Sequence, residues 1–170
     1  MKTLMKTIFL PAALLVCSSV FGDAPQAPPV PWKVCNRIIS HCAAIDPKNG
    51  ATLYQIDANF SAKESYKVPG WHRSALVSDD GQFFVSNYSG LNLVPMGVTP
   101  AQVMVTVWKN GAKHTQVNLG QIVRTWSLLK ATASHLNWGS VSHLSGTTLH
   151  LNTVDGAVTI NIETGAVSHL

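Results

Sequence analysis

Tight turns that contain glycine recur along the chain and constrain its fold more than any other feature. The stretch Val68–Pro95 is the clearest example, because two β-rich runs, Ser74–Ser78 and Gln82–Asn87, flank Asp79-Asp80-Gly81. Asp-Gly between two such runs predicts a β-hairpin, since glycine tolerates the positive φ that the turn requires.

Similar turns indicate further hairpins, at Asn49-Gly50, Asn110-Gly111 and Ser145-Gly146. A last β-rich run follows Asp155-Gly156 and ends at Thr164-Gly165. Gly50, Gly81 and Gly111 lie about 30 residues apart, which suggests a repeated two-stranded unit. That spacing is shorter than a four-stranded propeller blade of about 40 residues.

Apolar and polar residues alternate in several of these runs, as expected of strands with one buried face. Val158, Ile160 and Ile162 lie on one side of their run, and Val103, Val105 and Val107 lie on one side of theirs. A period of two residues is typical of strands. Helical spacing occurs in Gly120–Lys130, which predicts one short helix. We therefore expect a mainly β protein of antiparallel hairpins or a meander with one short helix, arranged as a sandwich, a barrel or a partial propeller.

The N-terminus has the parts of a secretory signal peptide. Residues 1–22 combine Lys2 and Lys6 with an apolar run, Ile8–Val16, that is well short of the ~20 residues of a membrane span. We expect cleavage near Gly22, an extended N-terminal arm at residues 23–32, and a single β domain at residues 33–170. This places the mature protein in the periplasm or outside the cell.

Net charge limits the class of partner. Removing residues 1–22 takes away two lysines and no acid, which leaves 10 of the 12 basic residues against 8 acidic ones. A net charge of about +2 without a basic cluster does not favour nucleic acid. We expect no nucleic-acid partner and no membrane partner once the signal is removed.

Two cysteines remain after the signal, Cys35 and Cys42, with six residues between them. An even cysteine count in an exported chain predicts a disulfide. A metal site that also uses His41 is the alternative, but it lacks a clear fourth ligand.

Signatures of enzymes and cofactors are missing from the sequence. It contains no G-x-S-x-G nucleophile motif, no HExxH pair and no glycine-rich phosphate loop. We therefore predict no catalytic residues and no cofactor. The alternative is a metal site from His135, His143 and His150, in which His143 and His150 would face each other across the turn at Ser145-Gly146.

Aromatic residues next to glycine turns indicate a binding surface. If the Val68–Pro95 hairpin forms, its open end gathers residues before the first strand and after the second. Aromatic and arginine side chains dominate interface hot spots, and aromatic rings also bind sugars. The predicted binding residues are Trp71, His72, Arg73, Tyr88, Asn92 and Trp138. The alternative is that these rings close the ends of the β core.

Four short motifs, VPGWHR, SDDGQFFVSN, YSGLNLVP and SHLNWG, together resemble a pattern in small exported bacterial β-proteins to which no activity is assigned. The resemblance covers about Val68–Gly139 and implies an exported location. SDDGQFFVS is also similar to the strand turn of bacterial propeller repeats. SGLNL is similar to the protruding Ser-Gly loop of periplasmic lysozyme inhibitors, although the aromatic and glycine pattern that follows in that family is absent.

These features favour a non-enzymatic exported binding protein with a protein or glycan partner. A specific version is an inhibitor or immunity protein that blocks a cell-wall hydrolase. The alternatives are a glycan-binding module and a histidine-dependent metal enzyme.

Overall fold

The computed structural model describes residues 26–170, and this part of the chain is mainly β, as predicted. Its strands form four antiparallel sheets, none of which closes into a barrel within the described residues. The predicted signal peptide, residues 1–22, lies outside the described residues. Residues 26–31 precede the first strand, β1, which begins at Trp32.

The first sheet is a four-stranded meander. Its strands, in spatial order, are β1 (Trp32–Cys35), β2 (His41–Asp46), β3 (Gly50–Ile56) and β4 (Ala62–Val68). Cys35 and Cys42 are opposite partners on β1 and β2, and they form the predicted disulfide. The polar strand β4 has no apolar alternation, and the sequence pattern did not predict it.

The central sheet contains the predicted hairpin. The strands in this part of the chain are β5 (Ala75–Val77), β6 (Phe83–Asn87), β7 (Leu93–Pro95), β8 (Val103–Lys109) and β9 (Ala112–Asn118). β5, β6, β8 and β9 pair in that order, whereas β7 leaves the sheet. Gly81 has the predicted positive φ, 70°. Asn110 and Gly111, at 49° and 84°, form the turn between β8 and β9.

The predicted helix over Gly120–Lys130 is wrong in extent. The structure has one helical turn, α1 (Leu119–Ile122), and a separate 3₁₀ turn at Trp126–Leu128. The backbone N–H groups of Arg124 and Thr125 donate to the Asp155 carboxylate instead of to carbonyls of a preceding helical turn. This side chain, 30 residues further along the chain, therefore interrupts the helical pattern.

A small sheet and a third large sheet complete the described chain. The small sheet pairs β10 (Lys130–Ala131) with β11 (His135–Asn137), and β11 with β7. The third sheet is a second uninterrupted meander. Its strands are β12 (Gly139–Ser145), β13 (Thr148–Thr153), β14 (Gly156–Asn161) and β15 (Val167–His169). The hairpin predicted at Gly146 and the β-rich run predicted after Gly156 are confirmed, whereas β15 was not predicted.

The central sheet is covered on both faces, which explains the continuous burial of β6. Phe84 and Val77 pack with the first sheet, while Phe83 and Val85 pack with the third sheet. Strands buried on both faces are apolar throughout instead of alternating. The three large sheets therefore form three stacked layers with two apolar interiors.

The first strands of the three large sheets lie near one another. β5 contacts both β1 and β12, and residues from the ends of all three strands line a single cavity. The recurring unit is therefore a four-stranded sheet with its first strand innermost, and the two-stranded repeat expected from the glycine spacing does not describe the packing. Adjacent first strands at a common centre are typical of propeller blades.

Candidate binding surface

Three of the six predicted binding residues, Tyr88, Asn92 and Trp138, line one concavity of about 490 Å³. The concavity lies where β6 ends and β12 begins. Asn87 and Asn137 complete much of its polar lining. The predicted hairpin and the SHLNWG motif, which are far apart in the sequence, thus meet at this surface.

Backbone and ring hydrogen bonds fix these residues in place. The Trp138 N–H donates to the carbonyl of Asn92 at 3.1 Å, and the Trp138 indole Nε1–H donates to the carbonyl of Leu91 at 2.7 Å. Gly90 is required here, because a Cβ at this position would lie 2.3 Å from Cε1 of the Tyr88 ring. Trp138 is only 2% exposed, so it supports the concavity mainly as a buried wall.

The lining combines apolar and polar side chains, and within the described part of the chain it carries no carboxylate, ammonium, guanidinium or imidazole. Its hydrogen-bonding groups are the amides of three asparagines and the hydroxyls of serines and Tyr88. The Asn87 Nδ2 donates to Ser74 Oγ at 3.0 Å, and its Oδ1 is buried without a hydrogen-bond partner among residues 26–170. Such a lining can donate and accept hydrogen bonds, but it offers no imidazole or carboxylate for proton transfer near neutral pH.

The other three predicted residues lie elsewhere, beside the first sheet. Trp71 packs against the apolar cluster between the first and central sheets, and its Nε1 is buried without a partner among the described residues. Arg73 donates from Nη2 to the carbonyl of Ala27 at 2.7 Å. The open end of the hairpin therefore divides the predicted residues between two surroundings instead of gathering them.

His72 is the most buried of this second group, at 7% exposed. Its ring makes edge contacts with Phe84 and Trp108, with centroids 4.9 and 6.3 Å away. Its Nε2 lies 3.1 Å from the carbonyl of Pro69. Burial lowers the pKa of His72, and the Pro69 carbonyl opposes this shift only in part. The geometry is that of a neutral histidine in an aromatic interior.

The alternative metal ligands are only partly brought together. His143 and His150 are opposite partners on β12 and β13, and their rings stack at 4.3 Å with an angle of 6°. His135 lies on β11 opposite Pro95, with its Nδ1 2.8 Å from Ser134 Oγ. Between residues 26 and 170, no three His, Cys, Asp or Glu side chains are arranged to hold a metal ion.

Sequence reasoning missed Ser74, Asn87 and Asn137 as parts of the concavity. Asparagine beside aromatic residues in SNYSGLN and LNWGS is the signal that could have identified the two asparagines. Ser74 carries no such signal, since its place depends on the pairing of β5 with β6.

No protein-family model and no curated protein sequence matches the chain. Over residues 26–170, no helix has the length and apolar character needed to span a bilayer.

Proposed function

We propose that the protein is a non-enzymatic exported binding protein, and that its concavity at Tyr88, Asn92 and Trp138 takes an uncharged glycan. The observation that carries this proposal is a lining in which aromatic residues occur with three amide side chains and, over residues 26–170, no charged group. Sugar hydroxyls both donate and accept hydrogen bonds, as amides do, and the apolar face of a sugar ring packs on aromatic carbon. The volume, about 490 Å³, lies within the usual range for small-molecule sites.

Export is supported by two features of different kinds. The first is the signal-like sequence of residues 1–22. The second is the Cys35–Cys42 disulfide, a bond that persists in oxidising compartments and is rare in the cytosol.

A glycan titration tests the proposal. The mature protein is titrated by calorimetry with N-acetylchitotriose, cellotriose and maltotriose. We expect saturable binding of at least one of them, and we expect Tyr88→Ala and Asn92→Ala to weaken it by about 1 kcal/mol or more each, through lost ring contact and lost hydrogen bonds. Asn152→Ala is the matched control, because Asn152 is an exposed asparagine outside the concavity. Absence of saturable binding to all three sugars would contradict the glycan proposal.

A second candidate, an inhibitor or immunity protein that blocks a cell-wall hydrolase, is favoured by a different surface. Ile38, Ile39 and Phe60 are 61%, 59% and 84% exposed. They lie on the β1–β2 and β3–β4 loops, which adjoin because the Ile56 N–H donates to the carbonyl of Ser40 at 2.8 Å. Ile39 and Phe60 also have positive φ, at 60° and 61°. Projecting apolar side chains held in a strained conformation are typical of contact surfaces.

Inhibition of a purified muramidase by the mature protein tests this second candidate. We expect Ile39→Asn and Phe60→Ser to reduce the inhibition while leaving glycan binding at the concavity unchanged. Val30→Ser is the control, since Val30 is similarly exposed but precedes the first sheet. Equal inhibition by all three variants would contradict a role for these loops.

A further inference from the structure

A second cavity, of about 430 Å³, lies where the first strands of the three large sheets end. The concavity at Tyr88 and Asn92 lies at the opposite end, where β5 and β12 begin. The first strand of each large sheet contributes to it: residues that end or follow β1, the strand β5 and its turn, and the last residues of β12. Ligand sites often occur where separate structural units meet. The position follows from the fold itself, because these three strands run toward the same end.

Opposite charges line this cavity. Arg37 follows β1 and Asp79 follows β5, and the side chains of both are exposed. Neither residue forms an ion pair among residues 26–170, where the salt bridge present joins Lys67 to Glu64. The Asp79 carboxylate accepts no hydrogen bond there, in contrast to the Asp80 carboxylate, which accepts from Ser78 Oγ at 2.6 Å. Arg37 and Asp79 thus each keep their bonding capacity for a ligand.

A buried side chain links the backbone segments that carry the two charged residues. Asn36 is 5% exposed, and its Nδ2 donates to the carbonyl of Asp79 at 3.3 Å. Its Oδ1 accepts the N–H of His41 at 3.1 Å, which closes the β1–β2 loop. The residue before Arg37 therefore binds the backbone of Asp79 through its side-chain amide, although Arg37 and Asp79 follow strands of different sheets.

The rest of the lining is apolar or weakly polar. Leu76, Val77 and Leu144 supply aliphatic walls, and His143 also lines the cavity, with its ring stacked on His150. Guanidinium groups bind carboxylates through paired hydrogen bonds, and a carboxylate binds an ammonium group. We propose that this cavity binds a small aliphatic zwitterion, a free amino acid or short peptide, with its carboxylate at Arg37, its ammonium at Asp79 and its side chain against Leu76 and Leu144.

The test is an NMR titration of the mature protein with two zwitterions, L-leucine and L-alanyl-L-leucine. We expect saturable shifts at Arg37, Asp79 and Leu144 with at least one of them, and the tighter of the two identifies the source as a free amino acid or a peptide. L-Leucinamide lacks the carboxylate, and 4-methylpentanoate lacks the ammonium. Each should bind about tenfold more weakly than L-leucine or not at all.

Variants connect the binding to the named residues. Arg37→Gln and Asp79→Asn should each weaken zwitterion binding about tenfold. Arg124→Gln and Glu163→Gln are matched controls, because both residues are exposed and lie outside the cavity, and they should bind as the unmodified protein does. Absence of saturable shifts with both zwitterions, equal binding of the singly charged analogues, or unchanged binding by Arg37→Gln overturns the proposal. Glycan binding at the other end of the strands is measured separately. Failure of zwitterion binding would therefore leave the glycan proposal unaffected, and failure of glycan binding would leave the zwitterion proposal unaffected.

Discussion

At the scale of single residues, Gly81 has two roles: it forms the predicted turn, and its lack of a side chain makes room for His41. Its φ of 70° is the conformation that the Asp-Gly pattern predicts. The structure adds a contact that the sequence does not show, since a Cβ at Gly81 would lie 2.2 Å from Cδ2 of His41. The Gly81 carbonyl also accepts a hydrogen bond of 2.9 Å from Tyr66 Oη.

We predict that Gly81→Val lowers the free energy of unfolding by on the order of 2–4 kcal/mol, from backbone strain together with overpacking against His41. Chemical denaturation measures the loss. Gly70→Val separates the two causes, because Gly70 has a φ of 88° but a Cβ added there would meet no atom of the described residues within 4 Å. Its loss should be the smaller one, and equal losses would show that the His41 contact is unimportant.

His72 makes the free energy of unfolding depend on pH, in a direction that its burial determines. Its pKa is lowered in the folded protein, mainly by burial. The unfolded chain has an ordinary histidine pKa near 6.5, so below about pH 6.5 the unfolded state binds a proton that the folded state resists. The stability contributed by neutral His72 is thus fully present above pH 6.5 and is lost as the pH falls below it.

We predict that His72→Gln reduces the loss of unfolding free energy between pH 7 and pH 5, even though the variant is less stable at pH 7. Denaturation curves across this range measure the slope. His114→Gln is the control, since His114 is exposed. An identical slope for His72→Gln and the unmodified protein would contradict the prediction.

At the scale of elements, the disulfide joins opposite residues on β1 and β2 and closes the loop that contains Asn36. We predict that Cys35→Ser with Cys42→Ser lowers the free energy of unfolding by roughly 2–3 kcal/mol, the chain-entropy value for so short a loop. Thermal melts with and without reductant measure this effect. The reduced protein should have the same melting temperature as the double variant. Mass spectrometry of the exported protein should show a mass lower by two hydrogens than that of the reduced form. Two free thiols in the exported protein would contradict the assignment.

Elements whose signals are local were predictable from the sequence, and elements set by distant partners were not. The turns at Gly50, Gly81, Gly111 and Gly146 depend on the backbone freedom of one or two residues, so their hairpins were identified. Strand β4 is polar along most of its length and is held by pairing with β3. The helix pattern after Gly120 was interrupted by the carboxylate of Asp155. That carboxylate accepts two backbone N–H groups, and its pKa is lowered, chiefly by the bond from Thr125.

The distinction between local signals and distant partners also explains which candidate binding residues were grouped correctly from the sequence. Tyr88 and Asn92 are close in sequence and share a turn, so their grouping followed from the hairpin. The sequence predicts Trp71 and His72 beside them because strand pairing brings the ends of a hairpin together. In the structure, the Trp32 indole donates to the carbonyl of His72 at 2.9 Å and holds that segment against the first sheet. Asn92 is held instead by Trp138, and no local pattern contains either partner.

At the scale of the whole molecule, the central sheet makes the two apolar interiors interdependent. Strand β6 contributes Phe84 to one interior and Phe83 and Val85 to the other. Loss of either neighbouring sheet would expose one face of this strand. An exposed face of large apolar residues costs about 25 cal/mol per Å² of apolar area, so the layers should not unfold independently.

We therefore predict a single unfolding transition shared by all three large sheets. Ile45→Ala creates a cavity in the interior beside the first sheet, and Leu151→Ala creates one in the interior beside the third sheet. Each should lower the free energy of unfolding by about 2–5 kcal/mol. Hydrogen exchange then measures the opening free energy of amides in β2 and β14. Each variant should lower protection in both strands by the same amount, because the central sheet transmits the loss, while Val30→Ala, at an exposed position, should lower neither. If Ile45→Ala reduced protection in β2 alone, the first sheet would be a separate folding unit, and the cavity at Arg37 and Asp79 would lie between units of unequal stability.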